Sequence, residues 1–240
     1  MSDPSRREFF RTTLPFVLAS SPWMRPTPLL AAPGSGPAEA EEGVTATEDL
    51  MREHGVIRRA LLIYEALAAR LDKGESIPLS ALGQTAELLR HFGEQYHEHS
   101  EEVGVFPVMK KAGKLVSMVD TLLEQHRRGA EITAYFLGVA KSGSLSSLEK
   151  QTLSRQLWNF SRMYAHHAAR EDTILFPALR QVLSPQQMKK LGDRFEDEEK
   201  EILGEEGFEH GVARVGEIEA ALGLANLAQF TAPPPPKATR

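Results

Sequence analysis

His97-Glu98-His99-Ser100-Glu101-Glu102, running on to Val105-Phe106-Pro107, and His167-Ala168-Ala169-Arg170-Glu171-Asp172, running on to Leu175-Phe176-Pro177, are two copies of one short pattern. In each copy a His is followed four residues later by a Glu, and then by an apolar-Phe-Pro trio. Every one of these elements recurs at an offset of 70 residues. Four residues is about one helical turn, so His and Glu project from the same helix face. A neutral imidazole and a carboxylate on one face form a metal-binding pair. Two such pairs in a small domain predict two metals. His54 precedes the first copy and His126 the second, 72 residues apart. The chain therefore reads as two helix–helix units, each running His and then His-x-x-x-Glu.

Both leading histidines sit on apolar stripes. The first stripe is Leu50, His54, Ile57, Leu61, Tyr64, Ala68 and Leu71; the third helix carries Leu115, Val119, Leu122, His126, Thr133, Phe136 and Ala140. These spacings mark the core face of an amphipathic helix. A lone His on such a face is ordinarily a satisfied core residue. Four helices that each carry one, two of them with a Glu one turn on, point to ligands instead. A carboxylate buried without a partner is costly, and a cation removes that cost.

With these motifs the sequence resembles the hemerythrin-like (HHE cation-binding) family over roughly residues 47 to 180. The resemblance rests on Met51-Arg52-Glu53-His54, Tyr96-His97 through Phe106-Pro107, Glu124-Gln125-His126-Arg127-Arg128-Gly129, and His166-His167 through Phe176-Pro177. It implies an all-α, up-down-up-down four-helix bundle with a non-haem centre of two iron ions in its core. Carried over residue by residue, His54 and His97 would bind one iron, His126 and His167 the other, and Glu101 and Glu171 would bridge them. Oxygen-carrying members place a further His one turn after the third-helix His, where this chain has Ala130, and their fourth-helix bridging Asp lies five residues after its His. Here Glu171 lies four after His167, with Asp172 at the fifth position as the alternative bridge. Ala130 leaves one iron short of a nitrogen ligand, which argues against simple reversible oxygen carriage. Glu98 is a candidate extra ligand, as in some family members, or else a solvated Glu at the bundle edge. His166, rotated about 100° from His167, reads as an outer or exposed residue.

The 240 residues suffice for one domain with extensions. A hydrophobic content of 41% and charged content of 25% are ordinary for a globular chain. A net charge of −5 gives no argument for nucleic acid. No apolar run reaches the eighteen or so residues of a membrane-spanning helix. With no cysteine, disulfides, thiolate metal sites and cysteine nucleophiles are excluded.

Residues 1–44 read as a twin-arginine export signal and linker: Ser5-Arg6-Arg7-Glu8-Phe9-Phe10 precedes an apolar stretch from Leu14 to Ala19. This predicts a periplasmic protein, and a cytoplasmic one if the Arg pair is fortuitous. Residues 45–183 form the bundle. Its first helix starts near Thr47 and stops near Gly74; the second opens at Pro78 and Ser80 and is kinked or restarted by Pro107. Gly113 and the Ser142-Gly143-Ser144 linker bound the third helix, and the fourth starts near Ser146. Residues 184–224 read as a helical extension with a solvated charged face, and residues 225–240 as a disordered Pro-rich tail. His91, His99 and His210 fall outside the ligand pattern and are expected at the surface.

Three functions are compatible with this reading. The first is a di-iron protein that binds or senses O2, NO or peroxide, with a separate signalling or redox partner because no output domain is recognisable. The second is a di-iron enzyme that consumes peroxide or O2, with Tyr96 or Tyr164 supplying a proton or electron if they are more than packing aromatics. The third is a metal-free helical interaction module.

Overall fold

Helix signals in the sequence set the architecture, and the computed structural model describes it for residues 44–236. The proposed export signal lies outside the described residues. Six helices follow in order, with no strand among the described residues. Helix α1 is Ala46–Asp72, with Glu48 and Asp49 in its first turn and Arg70 in its last, as the helix dipole favours. It ends where Gly74, at φ +79°, turns the chain: Gly74 N–H bonds the carbonyl of Leu71, and Glu75 N–H that of Arg70. Helix α2 spans 79–111, α3 is Val116–Ala140, α4 spans 147–182, α5 is Pro185–Ile202 and α6 is Gly207–Leu222. Capping boxes at Ser146/Glu149 and Ser184/Gln187 open α4 and α5. No described helix is long and apolar enough to cross a membrane.

The two Phe-Pro positions do not break α2 and α4. A π-helical turn absorbs the proline in each: Glu101–Val105 before Pro107, and Glu171–Leu175 before Pro177. Proline has no N–H for the carbonyl four residues back, and its ring crowds that carbonyl. A wider turn carrying one extra residue relieves both problems, and such turns gather at functional sites. Both π turns begin at the Glu of the repeated motif. Helix α2 has a second π-helical stretch, Leu89–Glu98, which has no counterpart in α4.

Helices α1 and α4 pack along their length in opposite directions. Arg180 bonds Thr47, Asp172 meets His54, Ser161 reaches the Leu61 carbonyl and Ser154 that of Ala68. Helix α2 packs on α3, and α3 on α4. The interior has three storeys. One apolar cluster joins Ile57, Leu61, Tyr64, Leu82, Phe92, Phe136, Leu157 and Phe160, and α6 covers it with Val215 and Ile218. A second joins Leu50, Val105, Phe106, Leu122, Leu175 and Phe176, and α5 covers it with Leu191 and Phe195. Each large side chain buried here contributes on the order of 1.5–3 kcal/mol. Between the clusters all four bundle helices turn polar at the same level. The buried residues there are His54, His97, Glu101, His126, His167 and Glu171.

After α6, Leu227–Phe230 form one 3-10 turn, and exposed chain without regular structure continues to 236.

Candidate metal centre

The polar layer follows from the motif spacing. On α2 the step from His97 to Glu101, and on α4 the step from His167 to Glu171, stack an imidazole over a carboxylate, while α1 and α3 bring His54 and His126 from opposite walls. The ligand atoms fall into two overlapping groups, one of His54, His97 and Glu101, the other of Glu101, His126, His167 and Glu171, each with its atoms within 4.8 Å of one another. Glu101 spans both sides: Oε1 is 3.8 Å from His97 Nε2 and Oε2 is 3.5 Å from His126 Nε2. Glu171 Oε2 lies 3.4 Å from His54 Nε2 and 3.0 Å from His167 Nε2. His126 Nε2 and His167 Nε2 are 3.1 Å apart.

All four imidazoles are held from behind. His54 Nδ1 donates to Asp172 Oδ1 at 2.7 Å and His97 Nδ1 to Glu53 Oε2 at 2.8 Å. His126 Nδ1 donates to Glu102 Oε1 at 2.9 Å and His167 Nδ1 to Gln125 Oε1 at 2.9 Å. A carboxylate or amide oxygen accepting from Nδ1 fixes the ring orientation, so Nε2 is the nitrogen that faces the interior of the layer. This is the outer-shell arrangement of metal-ligating histidines. Phe176 stacks on His54 at 5.9 Å and Phe106 on His126 at 5.4 Å, which gives the Phe of the repeated trio its task.

The layer is charged and short of partners. Glu101 and Glu171 are fully buried, and their oxygens have no polar neighbour that completes a hydrogen bond other than the imidazoles at 3.0–3.8 Å. Glu53 and Glu98 are buried beside them, and no Lys or Arg is buried among the described residues. Burial lowers the basicity of His54, but Asp172 and Glu171 outweigh it and raise its pKa to about 9. His126 is likewise raised, its carboxylate neighbours led by Glu98 overcoming burial. His97 moves the other way, pushed by burial to about 4 against the pull of Glu101. Burial disfavours the charge on Glu171, yet His167 and His54 hold it well below the usual carboxylate range. In the metal-free protein, protons on His54 and His126 thus stand where positive charge is needed. Orphaned carboxylate oxygens facing inward-pointing imidazole nitrogens, at separations of 3.0–3.8 Å, fit the donor set of a transition-metal site.

Six of the seven expected site residues therefore meet in one layer, and Glu98 does not join them. It accepts a hydrogen bond from Tyr164 Oη at 2.6 Å, and its other oxygen lies 3.9 Å from His126 Nδ1, on the outer side of that ring. Gly129 makes this possible, because a Cβ there would lie 1.9 Å from Tyr164 Oη. A cavity of about 10 Å³ adjoins Glu98 and Tyr164, lined also by Ile57, Leu89, Phe160 and Glu94, which is room for about one water. Asp172 lies outside the layer as well, bonded to His54 and Arg58. His166, His91, His99 and His210 are exposed.

Sequence reading missed Glu53, Glu102 and Gln125, although the repeat marks them. Glu53 and Gln125 precede the two leading histidines at the offset of 72, and Glu102 and Asp172 follow the two glutamates at the offset of 70. Gly129 was missed because it carries no side chain to extend a stripe.

Comparison with known proteins bears on this layer. The profile of the Hemerythrin HHE cation binding domain matches residues 45–179. Uncharacterized protein Mb2018 of Mycobacterium bovis is 42% identical over 207 residues, which cover 86% of this chain and 81% of that protein. Uncharacterized protein Rv1995 of Mycobacterium tuberculosis matches to the same extent. No solved structure matches the chain. The similarity to the mycobacterial proteins is longer than the HHE domain, so it reaches past the bundle.

Proposed function

We propose that this chain, which belongs to the hemerythrin HHE cation-binding family, is a di-iron protein that binds or senses O2, NO or peroxide. In this reading α1–α4 form an up-down-up-down bundle. His54 and His97 hold one iron, His126 and His167 the other, and Glu101 and Glu171 bridge them. Iron supplies one-electron redox chemistry and affinity for small diatomic molecules or peroxide. The chain's own residues orient and insulate. Asp172, Glu53, Glu102 and Gln125 fix the four rings, Phe106 and Phe176 exclude water from two of them, and Tyr164 holds Glu98 outside the ligand layer.

One observation carries the reading: the buried oxygens of Glu101 and Glu171 face imidazole nitrogens alone, and no Lys or Arg is buried among the described residues. Without a metal ion the layer depends on imidazole protons to offset these buried carboxylates, at a cost in stability. The same observation weighs against a metal-free interaction module. Mixed nitrogen and oxygen donors suit iron better than magnesium or calcium. The test is elemental analysis of protein expressed with iron under anaerobic conditions. The expected result is about two irons per chain, as in di-iron bundles, falling in His54→Ala and His167→Ala. Full metal content in both variants would refute the assignment.

The Tyr164–Glu98–His126 contact favours an enzymatic second reading. A buried phenol bonded to a carboxylate behind a ligand ring can hold a proton for a peroxide substrate. Steady peroxide loss by the iron form, absent from the metal-free form and slowed in Tyr164→Phe, would support turnover; stoichiometric capture alone would reject it. Two further elements belong to the proposal: a separate signalling or redox partner, and export to the periplasm. Loss of periplasmic protein on Arg6→Lys/Arg7→Lys substitution tests the export.

A further inference from the structure

The two π turns are equivalent in sequence register but not in surroundings. Position 104 of the first corresponds to position 174 of the second, 70 residues on, and the first has Gly where the second has Ile. Ile174 is 45% exposed. Gly104 is buried under α5: a Cβ there would lie 2.7 Å from Phe195 Cε1 and 3.0 Å from Leu191 Cδ1. Phe195 is itself 1% exposed. The Val103 carbonyl, which Pro107 cannot serve, accepts from Arg194 at 3.4 Å. Arg194 is braced by Glu198 at 2.7 Å, and Glu198 also takes the hydroxyl of Ser100, the residue before Glu101, at 3.4 Å. Helix α5 is also anchored outside the turn, by Gly192 against Ala46 at the start of α1, and Leu191 and Phe195 join the turn to the apolar cluster through Val105 and Phe106. It lies beyond the 45–179 matched by the HHE domain.

We propose that α5 is a clamp on the first π turn: Phe195 and Arg194 are positioning residues that immobilise Glu101, while the turn carrying Glu171 is tied to α1 through Asp172 and has no described helix packed over position 174. The inference deepens the metal-centre reading and rests on it for its consequence, that of two bridging carboxylates one is fixed and the other is able to shift when a ligand arrives. A π turn lacks the regular i→i−4 ladder, so an external contact decides how rigid it is.

Amide hydrogen exchange on the full chain tests the clamp with or without metal. The expected pattern is slower exchange at 101–105 than at 171–175 in the wild type. Phe195→Ala and the milder Arg194→Gln raise exchange selectively at 101–105, and Phe195→Leu restores protection. Met188→Ala removes a side chain from the same helix and cluster about two helical turns before Phe195; it lowers global stability without changing the ratio between the two turns. Metal affinity, measured by chelator competition, falls roughly ten-fold or more in Phe195→Ala and recovers in Phe195→Leu. Equal exchange at the two turns in the wild type, or a ratio that Met188→Ala moves as much as Phe195→Ala does, overturns the clamp. A wild type that takes up no metal but keeps the exchange asymmetry refutes the metal reading and leaves the clamp as a structural feature.

Discussion

Removing the metal should give the protein a stability maximum near pH 6.5, with a loss on each side. The perturbation is metal removal followed by pH change. On the alkaline side the controlling group is His54, whose pKa rises from 6.5 to about 9 in the folded state. A raised folded pKa means that the folded state keeps a proton the unfolded chain has released. Its stabilisation is therefore complete below pH 6.5 and is lost as pH climbs through 9. A shift of about 2.5 units corresponds to about 3 kcal/mol, and His126, raised in the same direction, adds to the loss. On the acid side His97, lowered to about 4, acts oppositely. The unfolded chain binds a proton that the folded one refuses, so about 3 kcal/mol is lost as pH falls from 6.5 to 4. Against a typical net stability of about 5–15 kcal/mol these limbs are large. The assay is urea unfolding of the metal-free full chain across pH 4 to 9.5, where about 3 kcal/mol moves the midpoint by about 1 M or more. His54→Gln should shrink the alkaline limb to what His126 supplies. Metal-loaded protein should keep its midpoint through pH 9, because its His54 is already deprotonated. A midpoint of the metal-free protein that stays flat from pH 6.5 to 9 would refute the reasoning.

Asp172→Asn and Glu102→Gln should each weaken metal binding about ten- to a hundred-fold in chelator competition, and to similar degrees, because the two carboxylates hold His54 and His126 in equivalent ways. Gly129→Ala should cost about 1–3 kcal/mol in urea unfolding, since the new methyl collides with Tyr164 Oη. It should also detach Tyr164 from Glu98, visible as a changed tyrosine absorbance; a neutral Gly129→Ala would show that the close approach is not required.

Much of this architecture is legible because an interval of four residues has a direct meaning on a helix. His97 and Glu101, and His167 and Glu171, could be placed on one face without knowing what the face met, and the leading histidines inherited their position from apolar stripes. The helix ends at Gly74, Gly113 and Ser146 were legible for the same local reasons. What the sequence could not show depends on contacts between helices. The Nδ1 partners sit on neighbouring helices, so periodicity within one helix does not join Glu53 to His97 or Gln125 to His167. The prolines suggested a kink, whereas the structure answers with a π turn, since an extra residue is cheaper than breaking a packed helix. The orientation of Glu98 is set by Tyr164, 66 residues away, and by a missing side chain at 129.

The repeat gives the centre an approximate two-fold symmetry, and its exceptions make the two halves unlike. His97 leans on a carboxylate, Glu53, but His167 leans on an amide, Gln125. The pair His54 and His97 therefore has two anionic outer partners, Asp172 and Glu53, whereas His126 and His167 have one, Glu102, with Glu98 more distant at 3.9 Å. An anionic partner on Nδ1 makes Nε2 a stronger donor. The His54–His97 position should therefore bind metal more tightly, and titration of the metal-free protein with ferrous iron under anaerobic conditions should show two phases. Gln125→Glu places a carboxylate behind His167 and should bring the phases together by strengthening the weaker one. His97 would be the residue perturbed by Glu53→Gln, which should weaken the stronger phase instead. Two identical phases in the wild type, or a Gln125→Glu variant that widens the gap, would mean that the outer partners do not set the order.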